Sequence, residues 1–411
     1  MDAEIIAVGS ELLTPQHSDT NSLFLTERLN NLGILVRFKT IVGDSKEDLA
    51  TVFRAALARS PLIVLTGGLG PTEDDLTRDV VAEVLGRRLH EVAELRQRIQ
   101  DRFARLGRPM PENNLRQAQV PEGGEWLENR NGTAPGIWIE HKGNIVVLLP
   151  GPPRELEPLF DATCAPRLER VASGARIRTR IYKVVGLPES EVDQLIAPLY
   201  RPYQNPATTI LASLGTIEVH LRARAATEPE AEARLAELGD KIELALGDHV
   251  YSTKGESLEE VVGMYLVMRQ KTVAVAESCT GGLLAERLTR ISGSSIYFLG
   301  GIVCYSNELK IRCAGVPADL IDAHGAVSKP VAQALAEGVR ARTAASIGVG
   351  ITGIAGPTGG SKDKPVGLVF VALADERGTQ IREFHFPGSR DRVRHWATQM
   401  ALEMVRRRIR D

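Results

Sequence analysis

The amino-acid sequence predicts an α/β protein with two α/β sandwich domains joined by a small α+β domain. Its 411 residues exceed one ordinary domain. Short apolar runs alternate with amphipathic segments in both halves, which is typical of sheets covered by helices. A shorter, charged segment without a glycine-rich motif separates the halves. We expect domains at residues 1–168, 178–253 and 256–411.

The first domain is predicted to alternate strands with helices. The predicted strands are Ile5–Val8, Ile34–Val42 and Leu62–Leu65, and the predicted helices are Ser22–Leu32, which stops at Gly33, and Lys46–Ala58. This order indicates a parallel sheet covered by helices, and ligands then belong at the carboxyl ends of its strands.

The middle domain is predicted to follow a linker around Cys164–Arg180, where the pattern weakens. We expect a strand at Ile181–Val185, a short helix after Pro188, a strand at Ile217–Arg222 and a helix at Glu228–Leu246. This size and order resemble a KH-type module. The GxxG loop that clamps nucleotides is missing, so a spacer or interface role is favoured over RNA binding.

The third domain is predicted to be a second alternation of strands and helices. Its predicted elements are helix Leu258–Arg269, a strand from Val273, strand Ile296–Tyr305, helix Lys329–Thr343, strand Ala345–Ile351, paired strands Val366–Ala374 and Gln380–Phe386, and helix Arg390–Arg408.

The composition of the chain argues against several classes of function. A net charge of −2 and a pI of about 6.5 argue against a nucleic-acid partner, and Arg406–Arg408 is interpreted as the solvated end of a helix. The four cysteines form no CxxC pair, so neither a disulfide framework nor a thiolate zinc site is indicated. The chain begins without a basic segment and has no run of 18 apolar residues. We therefore expect no membrane association and a cytoplasmic location.

The strongest candidate nucleophile is Ser278, where an apolar strand stops at a Ser-Cys-Thr-Gly-Gly turn and becomes helical. At a helix start the backbone N–H groups lack partners, so they are expected to hold an oxyanion while the hydroxyl attacks. Thr280, Gly281 and Gly282 are then expected to bind substrate. Cys279 is interpreted as a small residue packed behind the turn, and the alternative for Ser278 is a plain helix N-cap.

A serine nucleophile needs a base, and no histidine lies close to Ser278 in sequence. The nearest downstream is His324, in a stretch that reads as a loop. Tyr305 and Lys310 follow the next strand, so a Ser/Tyr/Lys arrangement is favoured over Ser/His/Asp. Lys310 must then have a pKa well below its usual value, through burial or a neighbouring cation. The alternative is a solvated helix residue.

A glycine-rich turn and an arginine complete the predicted site of the third domain. The segment Gly350–Pro357 follows a buried strand and is expected to bind a phosphate or ribose through Thr352, Gly353, Ala355 and Gly356. Arg390, at the start of the last helix, is a candidate phosphate clamp. The alternative is a solvated arginine.

The first domain carries a candidate phosphate and metal site. In the segment Thr66–Thr77, the residues expected to bind substrate are Gly67, Gly68, Gly70 and Thr72. Asp74 and Asp75 repel each other beside a phosphate unless a cation joins them, which favours Mg²⁺ or a similar divalent metal. Asp44 is expected at the same edge. The alternative is that Asp74 and Asp75 only complement a helix dipole.

These motifs resemble the CinA family (competence/damage-inducible proteins) over essentially the whole chain. The first domain resembles the molybdopterin-binding fold through Gly67–Thr77 and Pro150–Pro153. The third resembles the nicotinamide mononucleotide deamidases through Ala276–Gly282, Tyr305–Lys310 and Gly350–Pro357.

The resemblance implies hydrolysis of nicotinamide mononucleotide to nicotinate mononucleotide and ammonia. It implies that Ser278 is the nucleophile, that Tyr305 and Lys310 are the activating pair, and that this domain needs no cofactor. For the first domain it implies a metal-dependent ADP-ribose pyrophosphatase; the candidate metal ligands Asp44, Asp74 and Asp75 come from the residue pattern described above and not from the resemblance. It also implies a homodimer. The competing hypothesis is a non-catalytic protein that binds pterins or partners in DNA uptake.

Overall fold

The computed structural model describes residues 1–172, 174–213 and 215–410, and it confirms the mixed α/β architecture. By contacts between elements the chain divides into two compact units. One comprises Met1–Arg178 with Arg222–Leu235, and the other comprises Thr179–Leu221 with Ala236–Asp411.

The N-terminal domain is built on a six-stranded sheet of order β2-β1-β3-β8-β7-β6, in which the first four strands pair in parallel and only β7 runs in the opposite direction, antiparallel to β8 and β6. The strands of this domain are β1 (Asp2–Val8), β2 (Leu35–Val42), β3 (Leu62–Thr66), β4 (Leu89–Glu91), β5 (Gln119–Pro121), β6 (Gly124–Leu127), β7 (Gly136–His141) and β8 (Asn144–Leu149), with β4 and β5 forming a separate pair. The helices are α1 (Asn21–Asn31), α2 (Lys46–Arg59), α3 (Thr77–Leu85), α4 (Ala93–Arg105), α5 (Pro153–Leu159) and α6 (Ala165–Val171).

The central strands of this sheet are buried on both faces. Alternate side chains of β3 enter two separate cores, with Ile63 and Leu65 in one and Leu62 and Val64 in the other. A strand covered on both faces needs an unbroken apolar run, which is the pattern that predicted β3 from the sequence.

The linker predicted at Cys164–Arg180 is wrong. A π-helical turn (Phe160–Cys164) joins α5 to α6, and the next strand already begins at Arg176. Cys164 and Leu168 pack into the core of the N-terminal domain, which is why this segment is ordered as helix. Ser173, within the predicted linker, lies outside the described residues.

The middle domain is a four-stranded sheet of order β10-β11-β9-β12 with two helices. Its elements are β9 (Arg176–Val184), α7 (Glu189–Tyr200), β10 (Ala207–Ser213), β11 (Thr216–Ala225), α8 (Glu228–Leu246) and β12 (Val250–Ser252). The sequence predicted β11 because its buried residues alternate. It missed β10, whose side chains are largely exposed, and β12, which has only three residues.

The C-terminal domain is a five-stranded sheet of order β14-β13-β15-β16-β17. Its strands are β13 (Val273–Glu277), β14 (Phe298–Val303), β15 (Ile347–Gly353), β16 (Leu368–Asp375) and β17 (Gly378–His385). Its helices are α9 (Leu258–Met268), α10 (Leu283–Thr289), α11 (Asn307–Arg312), α12 (Ala318–His324), α13 (Lys329–Thr343) and α14 (Arg390–Arg410).

Strand β13 has β14 on one side and β15 on the other, both parallel to it. The strand order therefore reverses at β13, and a crevice forms outside the carboxyl ends of such strands. This topology places the segments that follow β13, β14 and β15 at one edge of the sheet.

Two further expectations from the sequence are wrong. His324 is the last residue of α12 and not part of a loop. Arg406 is not solvated: it is buried in α14 and donates to both carboxylate oxygens of Glu403. Among the described residues, no helix has the length and apolar character needed to cross a membrane.

Candidate active sites

Ser278 follows the last residue of β13 directly. Glu277, the residue before it, is in register with Val303 of β14 and Ile351 of β15, and the amide of Ser278 donates to the Ile351 carbonyl at 3.0 Å. The side chain is only 8% exposed, and its hydroxyl forms no hydrogen bond within the described part of the chain. The hydroxyl is therefore free to act on a ligand.

The helix after Ser278 begins later than expected, at Leu283, with Gly282 as N-cap. Its first amides are already occupied, because the buried carboxylate of Glu277 accepts from Gly282 (3.1 Å), Leu284 (3.1 Å) and Ala285 (2.8 Å). The expectation that this helix start holds an oxyanion is therefore wrong, and so is the helix N-cap alternative for Ser278.

Cys279, next to Ser278, lies in the C-terminal core as expected. Burial raises the pKa of its thiol to about 12. The thiolate form needed for nucleophilic attack is thus disfavoured, which leaves Ser278 as the candidate nucleophile of the turn.

Lys310 lies in α11 and is 2% exposed. Its ammonium donates to the carbonyl oxygens of Cys304 (3.0 Å) and Tyr305 (3.1 Å). Burial lowers its pKa, and the solvated alternative is therefore excluded. Its ammonium contacts the backbone of Tyr305 and not the phenol, which differs from the pair expected from the sequence.

Tyr305 has a largely exposed side chain, and its phenol oxygen accepts from Arg390 at 3.0 Å. The same guanidinium donates to the Gly356 carbonyl at 2.9 Å. The cation in contact with the phenol is thus Arg390, which joins the segments that follow β14 and β15. Arg390 is exposed, so its guanidinium is accessible to a phosphate, and these two contacts hold it in place.

The Ser278 turn presents further polar groups. Thr280 is fully buried, and its hydroxyl has no partner among the described residues. Arg394 of α14 donates to the Thr280 carbonyl at 2.9 and 3.2 Å. Gly281 and Gly282 have φ values of 60° and 92°, where side chains with a Cβ are strained, so these glycines give the turn its shape.

The second loop of this site is rigid. Thr352, at the end of β15, is buried and its hydroxyl donates to the Ala326 carbonyl at 2.8 Å. Gly353 lies against Leu368, where a Cβ would come within 2.8 Å of its carbonyl oxygen. Ala355 is buried and Gly356 has a φ of 78°. The structure therefore brings Thr352–Gly356 to the edge occupied by Arg390, while the hydroxyl of Thr352 is already bonded.

The N-terminal domain holds a cavity of about 620 Å³ at the carboxyl ends of β1, β3 and β8. Gly67, Gly68 and Gly70 line it, as expected, whereas Thr72 is not among the lining residues. Gly67 and Gly68 have φ values of 96° and 64°, and a Cβ on Gly67 would clash with the Val8 carbonyl. Only glycine fits this turn.

The predicted metal ligands Asp44, Asp74 and Asp75 all line this cavity. One oxygen of Asp44 accepts from the Ser10 amide at 2.8 Å, and one oxygen of Asp75 accepts from the amide (2.9 Å) and hydroxyl (2.5 Å) of Thr72. All three aspartates precede α3, which starts at Thr77.

Within the described residues, no three acidic, histidine or cysteine side chains converge as a metal-binding group. Mg²⁺ usually takes only one or two carboxylates from the protein and completes its shell with water and substrate phosphates. Asp44 and Asp75 each keep a second oxygen outside the hydrogen bonds described above, so this donor set fits that metal.

Comparison with known proteins covers all three domains. Three protein-family models match the chain. The model described as "CinA C-terminal domain" matches residues 255–409, the one described as "Probable molybdopterin binding domain" matches residues 4–170, and the one described as "Damage-inducible protein CinA KH domain" matches residues 179–252. A CinA-like protein of Koribacter versatilis is 54% identical over 413 residues, covering 100% of both chains. The chain belongs to the CinA family.

Another CinA-like protein matches the whole chain, and a solved structure matches part of it. A CinA-like protein of Solibacter usitatus is 51% identical over 409 residues, covering 100% of this chain and 98% of the relative. A solved structure titled as the protein CinA with unknown function from Thermoplasma acidophilum is 33% identical, with a TM-score of 0.38, and covers 40% of this chain and 98% of that one.

Sequence reasoning missed three polar residues at these CinA sites. Glu277 and Arg394 hold the Ser278 turn, and Asn21 lies in the N-terminal cavity, where it donates to Thr66 (3.0 Å) and the Gly151 carbonyl (2.7 Å). Of these three, only Glu277 could have been singled out from the sequence, because it is a charged residue in an otherwise apolar strand, directly before a Gly-rich turn.

Proposed function

We propose that the C-terminal domain hydrolyses the carboxamide of nicotinamide mononucleotide, giving nicotinate mononucleotide and ammonia. The identity of the substrate is inferred from the resemblance of the sequence motifs to those of the family. The observation that carries the reaction type is the free hydroxyl of Ser278 at the sheet edge where the order of strands reverses, beside the segments of Tyr305 and Lys310.

In the proposed mechanism the Ser278 oxygen attacks the carboxamide carbon while its proton passes to the Tyr305/Lys310 pair. The proton then goes to the departing nitrogen, ammonia leaves, and water resolves the acyl-enzyme. Burial lowers the pKa of Lys310, so its ammonium loses a proton more easily than an exposed lysine, and the resulting amine can take up the proton of Ser278. A positioned base supplies about 10²–10⁴ in rate and one oxyanion donor about 10²–10³.

The phosphate of the substrate is proposed to bind the guanidinium of Arg390. Its guanidinium is exposed and is oriented by Tyr305 and Gly356, so it can bind an anion at the same edge. The neighbouring turn Thr352–Gly356 offers a rigid wall for the ribose.

For the N-terminal domain we propose a metal-dependent ADP-ribose pyrophosphatase that forms AMP and ribose 5-phosphate. Its support is the cavity that combines the glycine turn Gly67–Gly70 with the aspartates. Asp44 and Asp75 would hold a divalent metal such as Mg²⁺, which neutralises phosphate charge when bound. The homodimer implied by the family resemblance and the cytoplasmic location stay predictions.

The test is an ammonia-release assay with nicotinamide mononucleotide, run beside an AMP-release assay with ADP-ribose in the presence of Mg²⁺ or of EDTA. We expect ammonia in both conditions and AMP only with the metal. Binding of these nucleotides without turnover in either assay would instead favour the non-catalytic role.

A further inference from the structure

We infer that Glu277 is a positioning residue for amide hydrolysis: its carboxylate fixes the turn that carries Ser278 and leaves the amides of Cys279 and Thr280 for the oxyanion. This inference rests on the proposed function of the C-terminal domain. It assigns a role to a residue that the sequence patterns did not single out.

The carboxylate of Glu277 accepts three hydrogen bonds from the backbone that follows it in its own turn and at the start of α10. One oxygen accepts from Gly282 and Leu284, and the other accepts from Ala285. The side chain is 1% exposed, and no lysine, arginine or histidine of the described chain forms an ion pair with it. A buried charge is costly, and here backbone dipoles at the start of α10 offset that cost.

The main chain of the same residue anchors the turn to the sheet. The Glu277 carbonyl accepts from the Cys304 amide at 2.8 Å, and the next amide, of Ser278, donates to Ile351. Glu277 therefore fixes the start of the turn through its backbone and the end through its side chain. Arg394 holds the middle through the Thr280 carbonyl.

Two backbone donors remain in this fixed turn. The Gly281 amide donates to the Ser278 carbonyl, and the Gly282 amide to Glu277. Across residues 1–172, 174–213 and 215–410, the amides of Cys279 and Thr280 donate to no other residue, and the Cys279 amide contacts only its own thiol. They adjoin the nucleophile, so they are the donors available to an oxyanion, and the partnerless Thr280 hydroxyl lies beside them.

An amide cannot replace the carboxylate in this role. Glutamine has one acceptor oxygen, so in Glu277→Gln its NH₂ group faces one of the three backbone donors. We expect the turn to shift while the substrate contacts at Arg390 persist. A displacement of about 1 Å costs about 10² in rate.

The experiment measures kcat and KM for ammonia release from nicotinamide mononucleotide in the full-length wild type, Glu277→Gln and Glu403→Gln, each assayed below its unfolding temperature. Glu403 is the matched control, because it is also 1% exposed in the same domain but pairs with Arg406 and Arg407. We expect kcat of Glu277→Gln to fall about 10²-fold with KM within about threefold, while Glu403→Gln keeps its kcat.

The outcomes separate the inference from the proposed function. A wild type that releases no ammonia overturns the function. An active wild type with unchanged kcat in Glu277→Gln, or with equal losses in both variants, overturns the role of Glu277 alone. If Glu277→Gln does not fold, Glu277→Asp, which keeps the charge but shortens the reach, is measured by the same criteria.

Discussion

At the residue scale, some groups of the candidate site can be predicted from sequence patterns and others cannot. Ser278, Tyr305 and Lys310 stand in motifs directly after strands, and strand ends meet at one sheet edge, so they could be found by pattern. The bond between Tyr305 and Arg390 joins residues 85 positions apart, and only the folded sheet places them together. Burial of Lys310 likewise depends on the packing of α11, which no local pattern encodes.

Lys310 should give ammonia release a characteristic pH dependence. Burial penalises the charged amine, so its folded pKa lies below its ordinary value of 10.5. The neutral amine is the active form in our mechanism, and kcat/KM should therefore rise with pH along a limb centred below 10.5. We expect Lys310→Met to lose this limb and about 10²–10⁴ of the activity, as measured by pH–rate profiles.

Lys310→Arg is the control, since it keeps a positive charge that does not titrate in this range. It should also lose the limb. A Lys310→Met enzyme with the wild-type profile would remove the amine from the mechanism.

At the element scale, strands with strong patterning were predictable and weakly patterned ones were not. β3 and β13 are buried runs that stop at glycine-rich turns, whereas β10 is exposed and β12 short. The supposed linker shows the reverse error: α6 contains a proline and charged residues, but Leu168 is anchored in the core. The composition of such a helix is dominated by its exposed polar residues, so it does not indicate the few apolar residues that the helix buries.

The end of β16 is tied to α14 by a paired carboxylate. Arg408 donates to both oxygens of Asp375 at 2.8 and 2.6 Å, and with Arg377 it lowers the pKa of this carboxyl to about 2. We expect Asp375→Asn to reduce the free energy of unfolding of this domain by about 1–2 kcal/mol at neutral pH. Urea denaturation at several pH values measures the difference.

The sign of its pH dependence follows from the lowered pKa. The contribution of Asp375 is complete above the unfolded pKa of 3.8 and is lost as pH falls through about 2, so the two curves should converge there. Glu376→Gln, in an exposed pair with Lys271, is the control and should change stability little. A wild-type stability for Asp375→Asn at neutral pH would contradict this account.

At the scale of the whole molecule, each α/β domain of this CinA-family chain forms its candidate site from its own residues. The N-terminal cavity lies at the carboxyl ends of β1, β3 and β8, and the Ser278 site follows β13, β14 and β15. The fold class and the sheet edge of each site were predictable from the order of strands and glycine turns. How the side chains bond within each site was not, because that depends on tertiary packing.

We therefore expect the two activities to be separable in the intact chain. Asp75→Asn, or EDTA, should abolish AMP formation from ADP-ribose by more than about 10²-fold and leave ammonia release unchanged, because only the N-terminal site uses a metal. Parallel assays of both products measure this. Loss of both activities on metal removal would contradict independent sites.

The central claim is that the hydroxyl of Ser278 attacks an amide. The most direct test is the rate of ammonia release from nicotinamide mononucleotide by Ser278→Ala, with folding checked by circular dichroism. Our account predicts a folded protein that has lost at least about 10³ of the wild-type rate, as expected when a nucleophile is removed. A Ser278→Ala protein that releases ammonia at close to the wild-type rate would contradict it.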